Sequence, residues 1–359
     1  MHIDDLLTLA VEKRASDLHL KVPRPPVLRI VGELITQDEL APLTSADVEG
    51  VLASIASPEQ IATFRRDWEL DLAYSISGVG RFRVNACMQR GSMALSFRPI
   101  PLVAPRIDEL GLPDAAKYLA SRLRGFVLVT GPTGSGKSTT LAAMIEYINE
   151  TRSCRIITIE DPIEFLHRDK RAMIVQRELS IDTRSFAVAL KHAMRQDPDV
   201  ILVGEMRDLE TIRAAVTAAE TGHLVLATLH TVNVAQTVDR VIDVFPAHQQ
   251  AQIRLQLSGL LEGIMCQNLL PSADGKERIL ATEVMIGTPA TANLIREAKA
   301  FQLPTTLQTG AQLGMQTLDQ SLRVLVQKKQ ITLQTALSSA SNPDELRKLL
   351  AQRGPGSAS

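Results

Sequence analysis

The chain has 359 residues, of which 45% are hydrophobic and 22% are charged, and its formal net charge is -1. This length exceeds what one hydrophobic core usually organises, so we expect two domains. The composition excludes a disordered or fibrous protein, and the near-neutral charge gives no general attraction for a nucleic-acid backbone.

The N-terminus and the cysteines narrow the class of protein further. Met1–Asp5 is acidic and lacks the basic and apolar regions of a secretory signal, and no apolar stretch reaches membrane-spanning length. Cys87, Cys154 and Cys266 form no C-x-x-C pair, so we predict neither a disulfide framework nor a zinc site, and we expect all three to be buried. We therefore expect a cytoplasmic protein.

The first hundred residues alternate helical and strand-like patterns. Apolar residues at helical spacing predict a helix over Ile3–Val11, and Asp17–Val22 and Val27–Ile35 predict two strands separated by prolines. Two more helices are predicted to begin at Thr44 and Ser57, whose hydroxyls can cap them. This mixture predicts an α+β arrangement.

From Leu70 to Ile100 the apolar period changes to two, which predicts an antiparallel meander with one solvated face. Pro99, Pro101 and Pro105 then crowd a segment that is unsuited to a central strand or a helix interior. We place the domain boundary at this segment.

Beyond residue 110, apolar strand runs alternate with helical patterns, which predicts a mostly parallel sheet covered on both faces. The four runs are Phe126–Thr130, Arg155–Ile159, Val200–Val203 and Leu224–Thr228. The predicted division is an N-terminal domain over 1–100, a linker over 101–113, an α/β core over 114–290, a helical region over 291–353 and a disordered tail over 354–359.

A phosphate-binding loop is predicted at Gly131–Ser138, which fits G-x-x-x-x-G-K-S between an apolar strand and a helix. Glycines let successive N–H groups point at phosphates, and the helix N-terminus adds its positive dipole end. We expect Lys137 to reach the β- and γ-phosphates of ATP and Ser138 to bind Mg²⁺. The predicted nucleotide ligands are Gly131, Pro132, Thr133, Gly134, Ser135, Gly136, Lys137, Ser138 and Thr139.

Carboxylates and histidines follow the later strand runs. The run that begins at Asp199 ends near Glu205, which places a carboxylate beside the metal, directly or through a water. Glu160–Glu164 has three carboxylates in five residues, and a water-activating group and a solvated loop are equally open here. His230 ends another strand run and His223 precedes it, and either can be a structural hydrogen-bonding residue.

Taken in order, these segments resemble the motifs of the secretion ATPase superfamily. Ile156–Phe165 resembles its Asp box, Gly204–Asp208 its Walker B motif, and Thr221–Thr231 its His box, in which a histidine senses the γ-phosphate. The resemblance implies catalytic roles for Glu160, Glu164, Glu205 and His230. It leaves open which carboxylate activates the water.

The resemblance covers nearly the whole chain and is closest to the type IV pilus retraction ATPases. Ala15–Leu20 and Gly80–Asn85 resemble the start and the arginine-bearing strand of their PAS-like domain. Asn293–Glu297 and Gly314–Asp319 resemble their C-terminal motifs, although Ala292 stands where the family has an arginine. In the family, arginines of the PAS-like domain reach a nucleotide held between subunits. The catalytic arginines implied are Arg81, Arg83 and Arg98, for which a solvated strand face is the alternative.

The resemblance implies a PAS-like α+β domain followed by a RecA-like P-loop ATPase domain with C-terminal helices. It also implies a homo-hexameric, ATP-hydrolysing motor that turns the inner-membrane pilus platform, takes no nucleic acid, and reaches the cytoplasmic face of the membrane only through partners. The alternatives are a pilus extension or type II secretion ATPase, an accessory retraction paralogue, a scaffold that binds ATP without turnover, and a nucleic-acid translocase. Extension and secretion relatives usually carry a tetracysteine zinc site, which this sequence lacks.

Overall fold

The computed structural model describes residues 2–101 and 103–351. Contacts divide the chain into one unit formed by Met1–Val103 with Glu164–Leu166 and another formed by Ala104–Ile163 with His167–Ser359. Across the described residues, no helix combines the length and the apolar character that a membrane crossing requires. The tail predicted over 354–359 lies outside the described residues.

The first unit is an antiparallel sheet with helices packed against it. Its described strands form a six-stranded sheet in the order β3-β2-β1-β6-β5-β4. The elements are α1 (Ile3–Glu12), β1 (Asp17–Lys21), β2 (Val27–Ile30), β3 (Glu33–Thr36), α2 (Ser45–Ile55), α3 (Pro58–Asp67), β4 (Glu69–Ile76), β5 (Gly80–Gln89) and β6 (Ser92–Ile100). Strands β4, β5 and β6 are the predicted antiparallel meander, which is confirmed. The capping hydroxyls of Thr44 and Ser57 are also confirmed, because they accept from the N–H groups of Asp47 and Gln60.

The single strand predicted over Val27–Ile35 is wrong, because the chain turns back in its middle. Val31 and Gly32 have φ values of 50° and 86°, and β2 and β3 pair as a hairpin on either side of them. A two-residue turn with both residues at positive φ suits the twist of such a hairpin. A valine at the first position gives no sequence signal for that conformation.

Pro99 lies in β6 and pairs with Phe82, so it takes part in the meander predicted from Leu70 to Ile100. Strand β6 lies between β5 and β1, but its pairing with β1 ends at Phe97. Beyond Phe97, the described strands pair with β6 on its β5 side alone. A proline is tolerated there because an edge position need not donate to a second ladder.

The second unit is built on a mostly parallel sheet. In its described part, seven strands follow the order β13-β12-β7-β11-β10-β8-β9, and β13 is antiparallel to β12 while the other neighbours are parallel. They are β7 (Gly125–Thr130), β8 (Arg155–Glu160), β9 (Met173–Glu178), β10 (Val200–Val203), β11 (Leu224–Leu229), β12 (Leu261–Pro271) and β13 (Arg278–Ile286). The four predicted strand runs are therefore confirmed, and the chain has an α/β fold with mixed sheets.

Helices surround this sheet and continue to the end of the described chain. They are α4 (Ala115–Ala120), α5 (Lys137–Thr151), α6 (Phe186–Ala193), α7 (Leu209–Glu220), α8 (Val234–Asp243), α9 (Ala247–Leu260), α10 (Pro289–Arg296), α11 (Leu303–Thr309), α12 (Leu318–Gln327), α13 (Leu333–Ser339) and α14 (Pro343–Ala351). Every residue of β7, β10 and β11 is buried, as expected for strands covered on both faces. A smaller apolar cluster that includes Leu270, Leu322 and Leu346 joins α12 and α14 to the sheet.

The cysteines differ from one another in burial, so the expectation that all three are buried is wrong. Cys266 is buried, whereas Cys87 and Cys154 are half-buried. Burial raises the pKa of the Cys266 thiol to about 12, which keeps it protonated. Cys266 therefore acts as a small apolar residue of the core, in contact with the Thr130 hydroxyl at 3.1 Å.

Candidate functional site

The site lies where four parallel strands of the second unit end. The strand ends are Thr130 of β7, Glu160 of β8, Val203 of β10 and Leu229 of β11. Val203 pairs with both Ile159 and Ala227, so the ends of β8, β10 and β11 are adjacent. Ligands of open α/β sheets bind at this edge, beyond the carboxyl ends of the strands.

The loop between β7 and α5 has a backbone that glycine alone allows. Gly131 has φ 144°, and a Cβ on it would come within 2.4 Å of the Gln267 carbonyl oxygen and 2.5 Å of Ser135 Oγ. Gly134 and Gly136 have φ values of 79° and 88°. Side chains at these positions would strain or block the loop, so the glycines shape a cradle of backbone N–H groups.

Lys137 is the first residue of α5 and its ammonium folds back over the loop. Its Nζ donates to the carbonyl oxygens of Gly131 at 2.9 Å and Pro132 at 3.1 Å. Burial lowers the pKa of Lys137, and the negative charge of Glu205 acts in the opposite direction. The buried Ser135 Oγ has no hydrogen-bond partner among the residues that the structure describes. A lysine ammonium, an unpaired buried hydroxyl and a helix N-terminus together fit a phosphate group.

A cavity of about 590 Å³ opens beside this loop, within the second unit. Its walls come from the loop and from the β12–β13 hairpin, and the residues are Pro132, Thr133, Gly134, Ser135, Asn268, Leu269, Pro271, Gly275, Lys276, Glu277 and Arg278. The volume lies in the range of small-molecule sites. The cavity therefore offers room for a ligand next to the phosphate cradle.

The carboxylate of Glu205 interacts electrostatically with Lys137 of the loop. Arg207 forms a bidentate ion pair with this carboxylate: its Nε lies 2.6 Å from Oε1 and its Nη2 lies 2.7 Å from Oε2. His230 Nε2 lies 3.0 Å from Oε1. Burial raises the pKa of Glu205, but the Arg207 hydrogen bonds and the charges of His230, Arg207 and Lys137 outweigh it, so the net shift is downward. Glu205 is therefore ionised near neutral pH.

The segment that carries Glu205 is tied to strand β11. The Thr228 hydroxyl donates to the Gly204 carbonyl oxygen at 2.5 Å, and the Met206 N–H donates to the Thr228 carbonyl oxygen at 3.2 Å. A Cβ on Gly204 would lie 3.1 Å from the Glu160 Cα, so a larger residue would push against the end of β8. These contacts hold the turn between the ends of β8 and β11.

Glu160 at the end of β8 accepts hydrogen bonds from Thr158 and Gln176. The Thr158 hydroxyl lies 2.6 Å from Glu160 Oε1, and Gln176 Nε2 lies 3.2 Å from the same oxygen. Sequence reasoning did not identify Gln176, because the sequence of β9 does not show which residues of β8 lie opposite it. It did not identify Arg207 either, although its place two residues after Glu205 is a signal for an ion pair.

The remaining predicted residues lie elsewhere. Glu164 is exposed in a loop and belongs to the first unit, whereas Glu160, Glu205 and His230 belong to the second. Arg98 is paired with Asp17, with Nε and Nη2 each 2.8 Å from Oδ1. Arg83 lies opposite Arg98 in the sheet register and Arg81 is two residues away, so all three arginines share one face.

His223 has a structural position at the end of α7. Its Nδ1 lies 2.8 Å from the Ala218 carbonyl oxygen and 3.0 Å from the Thr221 hydroxyl. A ring nitrogen that donates to Ala218 satisfies one of the last carbonyls of the helix. Of the two histidines, it is His230 that contacts Glu205.

The motif implies Mg²⁺, and two side chains suit it. Ser138 is exposed in the first turn of α5, and Glu205 is ionised. Among the described residues, no group of three or more histidine, cysteine, aspartate or glutamate side chains is arranged to hold a metal. Mg²⁺ in P-loop proteins takes few protein ligands and draws the others from phosphate and water, so a hydroxyl and one carboxylate fit its needs.

Comparison with known proteins agrees with this geometry. A sequence profile described as Type II/IV secretion system protein matches residues 82–347. The type IV pilus retraction ATPase PilT of Pseudomonas aeruginosa is 48% identical over 344 residues, which cover 96% of this chain and 99% of that protein. A twitching motility protein of Neisseria gonorrhoeae is 48% identical over 89% of this chain and 86% of its own length. A crystal structure of the pilus retraction motor PilT with bound ADP has a TM-score of 0.91 and 45% identity, and covers 97% of this chain and 99% of that one. The chain therefore belongs to the type II/IV secretion system protein family.

Proposed function

We propose that this chain is an ATP-hydrolysing motor that powers type IV pilus retraction. The observation that carries the proposal is the meeting of Lys137, ionised Glu205 and His230 at one sheet edge, behind a glycine cradle that fits phosphate. The near full-length likeness to PilT, at 48% identity, supports retraction over other uses of the same chemistry.

In the proposed mechanism, side chains and backbone groups of this chain bind the nucleotide and orient the attacking water. Lys137 and the N–H groups that follow Gly131 hold the β- and γ-phosphates. Ser138 and Glu205 would hold Mg²⁺, which when bound would supply positive charge beside the phosphates. Glu205 or Glu164 accepts the proton of the attacking water, Glu160 supplies a further carboxylate of the site, and His230 responds to the γ-phosphate.

A RecA-like core, a PAS-like first unit and a homo-hexameric ring belong to the same proposal. Arg83 is exposed, whereas Arg98 is paired with Asp17, so Arg83 is the better candidate of these two for reaching a nucleotide on another subunit. Arg81 lies on the same face and is the third candidate. An arginine supplied in trans contributes roughly a thousandfold or more to the rate of phosphoryl transfer. Hydrolysis would then depend on assembly.

Subunit mixing tests the arginines. Lys137→Ala removes one subunit's own turnover but leaves its arginines, while Arg81→Ala with Arg83→Ala leaves the loop intact. Mixed rings are expected to regain ATPase activity that neither variant has alone. If mixed rings form and stay inactive at every ratio, these arginines do not act in trans and belong to a solvated strand face.

The proposal also covers the protein on which the motor acts and the place where it acts. The motor acts at the cytoplasmic face of the inner membrane, where it turns the pilus platform protein and contacts the membrane only through partners. Deletion of the gene is expected to leave cells with excess surface pili and no twitching. Bald cells would instead indicate an extension motor, and normal pili with weakened retraction would indicate an accessory paralogue.

Purified protein gives the direct biochemical test. We expect Mg²⁺-dependent phosphate release from ATP that Lys137→Ala abolishes, because this ammonium is the fixed positive charge of the loop. DNA or RNA is expected to leave the rate unchanged. Tight ATP binding without turnover would favour a scaffold, and stimulation by nucleic acid would favour a translocase.

A further inference from the structure

The carboxylate of Glu160 receives hydrogen bonds from two neighbouring strand side chains of the same sheet. Thr158 and Gln176 are directly opposite one another in the register of β8 and β9, and both side chains reach Glu160 Oε1, at 2.6 Å and 3.2 Å. Residues two apart on a strand point to the same face, which explains how Thr158 reaches Glu160. Gln176 supplies the second donor from across the strand pair.

The orientation of the Gln176 amide is determined by a backbone group. The His167 N–H lies 2.8 Å from Gln176 Oε1. An N–H can donate but not accept, so it must meet the amide oxygen, and this leaves the amide NH₂ directed at Glu160. A flipped amide would place two donors against each other and an oxygen against a carboxylate.

The same histidine is fixed to the helix of the phosphate loop. Its ring is 4% exposed, and its Nδ1 lies 3.0 Å from Glu146 Oε2. Glu146 belongs to α5, which begins at Lys137. A continuous set of hydrogen bonds therefore runs from α5 through His167 and Gln176 to the Glu160 carboxylate.

We propose that Gln176 is a positioning residue, which holds the Glu160 carboxylate in one orientation for the hydrolysis of ATP. The inference rests on the proposed function, since it assumes that Glu160 serves the ATPase site. Groups that orient a reacting residue through a hydrogen bond change activity by roughly 10- to 100-fold when they are lost. Gln176 acts through Glu160 and need not touch the nucleotide.

Two substitutions separate orientation from simple packing. Gln176→Leu removes the hydrogen bonds to the His167 N–H and to Glu160 at similar volume. We expect kcat to fall about tenfold or more while KM for ATP changes less than about threefold. Gln176→Glu keeps the acceptor for the His167 N–H but faces Glu160 with a like charge. Protonation of the introduced carboxyl restores a donor, so the rate relative to the parent is expected to rise as pH falls from 8 to 5.5.

A double-mutant cycle with Glu160→Gln tests the route of the effect. If Gln176 works through Glu160, adding Gln176→Leu to Glu160→Gln lowers kcat no further. Gln316→Leu is the matched control, because the Gln316 amide also donates to a side chain of a strand, the Thr282 hydroxyl at 2.6 Å. Thermal unfolding and binding of a fluorescent ATP analogue verify that each variant is folded.

The outcomes separate cleanly. The inference is supported if Gln176→Leu lowers kcat in the otherwise unchanged protein but not in the Glu160→Gln background, and if Gln316→Leu leaves kcat unchanged. Equal losses in both backgrounds, no loss from Gln176→Leu, or parent-like turnover by Glu160→Gln overturns it while leaving the ATPase assignment intact. A parent protein that releases no phosphate refutes the proposed function itself.

Discussion

The polar cluster around Glu146 on α5 allows a prediction about the free energy of unfolding that can be tested without measuring activity. Lys170 Nζ lies 2.5 Å from Glu146 Oε1 and 2.8 Å from Glu150 Oε1, and the Glu146 side chain is 11% exposed. His167 and Asn149 contact its other oxygen, at 3.0 Å and 3.4 Å. Lys170→Met removes the ammonium while keeping most of the apolar stem.

The expected loss follows from this geometry. A hydrogen bond to a charged group contributes about 1.5 to 3 kcal/mol, and the lower part of that range applies because Lys170 is 44% exposed to screening solvent. We expect Lys170→Met to reduce the free energy of unfolding by about 1 to 2 kcal/mol. For a unit of this size, that lowers the Tm by about 2 to 8 °C.

The pH dependence has a definite sign. Burial raises the pKa of Glu146, but hydrogen bonds from Lys170, His167 and Asn149 outweigh it, so the pKa lies below its ordinary value of 4.5. Its stabilisation is complete above that value and is lost as pH falls through the lowered pKa of the folded state. The difference in Tm between parent and variant is therefore expected to be full near pH 7 and to shrink below about pH 4.5.

Circular dichroism melts at several pH values measure this difference. The control is Lys299→Met, which breaks the pair between Lys299 and Glu297. Both side chains are exposed, so this change is expected to lower the Tm much less than Lys170→Met does. Equal effects from the two variants, or a Lys170→Met effect that grows toward acid pH, would refute the assignment of a buried, stabilised Glu146 carboxylate.

Lys137→Ala is expected to weaken ATP binding and abolish turnover, measured by nucleotide titration and phosphate release, and near-parent turnover would contradict the role of the loop ammonium. Glu205→Gln is expected to keep ATP binding and slow hydrolysis about 100-fold or more, because the amide keeps the shape but loses the charge. Comparison with Glu164→Gln identifies the base by the larger loss, and parent rates in both would contradict a carboxylate mechanism. Cys266 is expected to resist thiol reagents at pH 8 until the protein unfolds, because its pKa is about 12, and mass spectrometry that finds it labelled first would contradict its burial.

The local chemistry of the phosphate loop could be predicted from the sequence. Glycine spacing, the lysine and the flanking strand and helix are short-range properties, and each has a direct physical meaning for a backbone that wraps phosphate. Strand runs such as Val200–Val203 were equally predictable, because a strand buried on both faces must be apolar throughout. The carboxyl ends of such strands meet at one edge, which explains why Glu205 and His230 lie within 3.0 Å of each other.

Contacts between distant parts of the chain could not be predicted, because sequence patterns carry no register. The link from Gln176 to Glu160 exists because β9 pairs with β8 in one alignment, and a shift of one residue would turn Gln176 to the other face. The tolerance of Pro99 likewise depends on where β1 stops beside β6. Arg207 was close in sequence to Glu205, yet its grip on both carboxylate oxygens follows from the turn that Thr228 holds at Gly204. Such pairings arise only when strands separated by tens of residues are packed side by side.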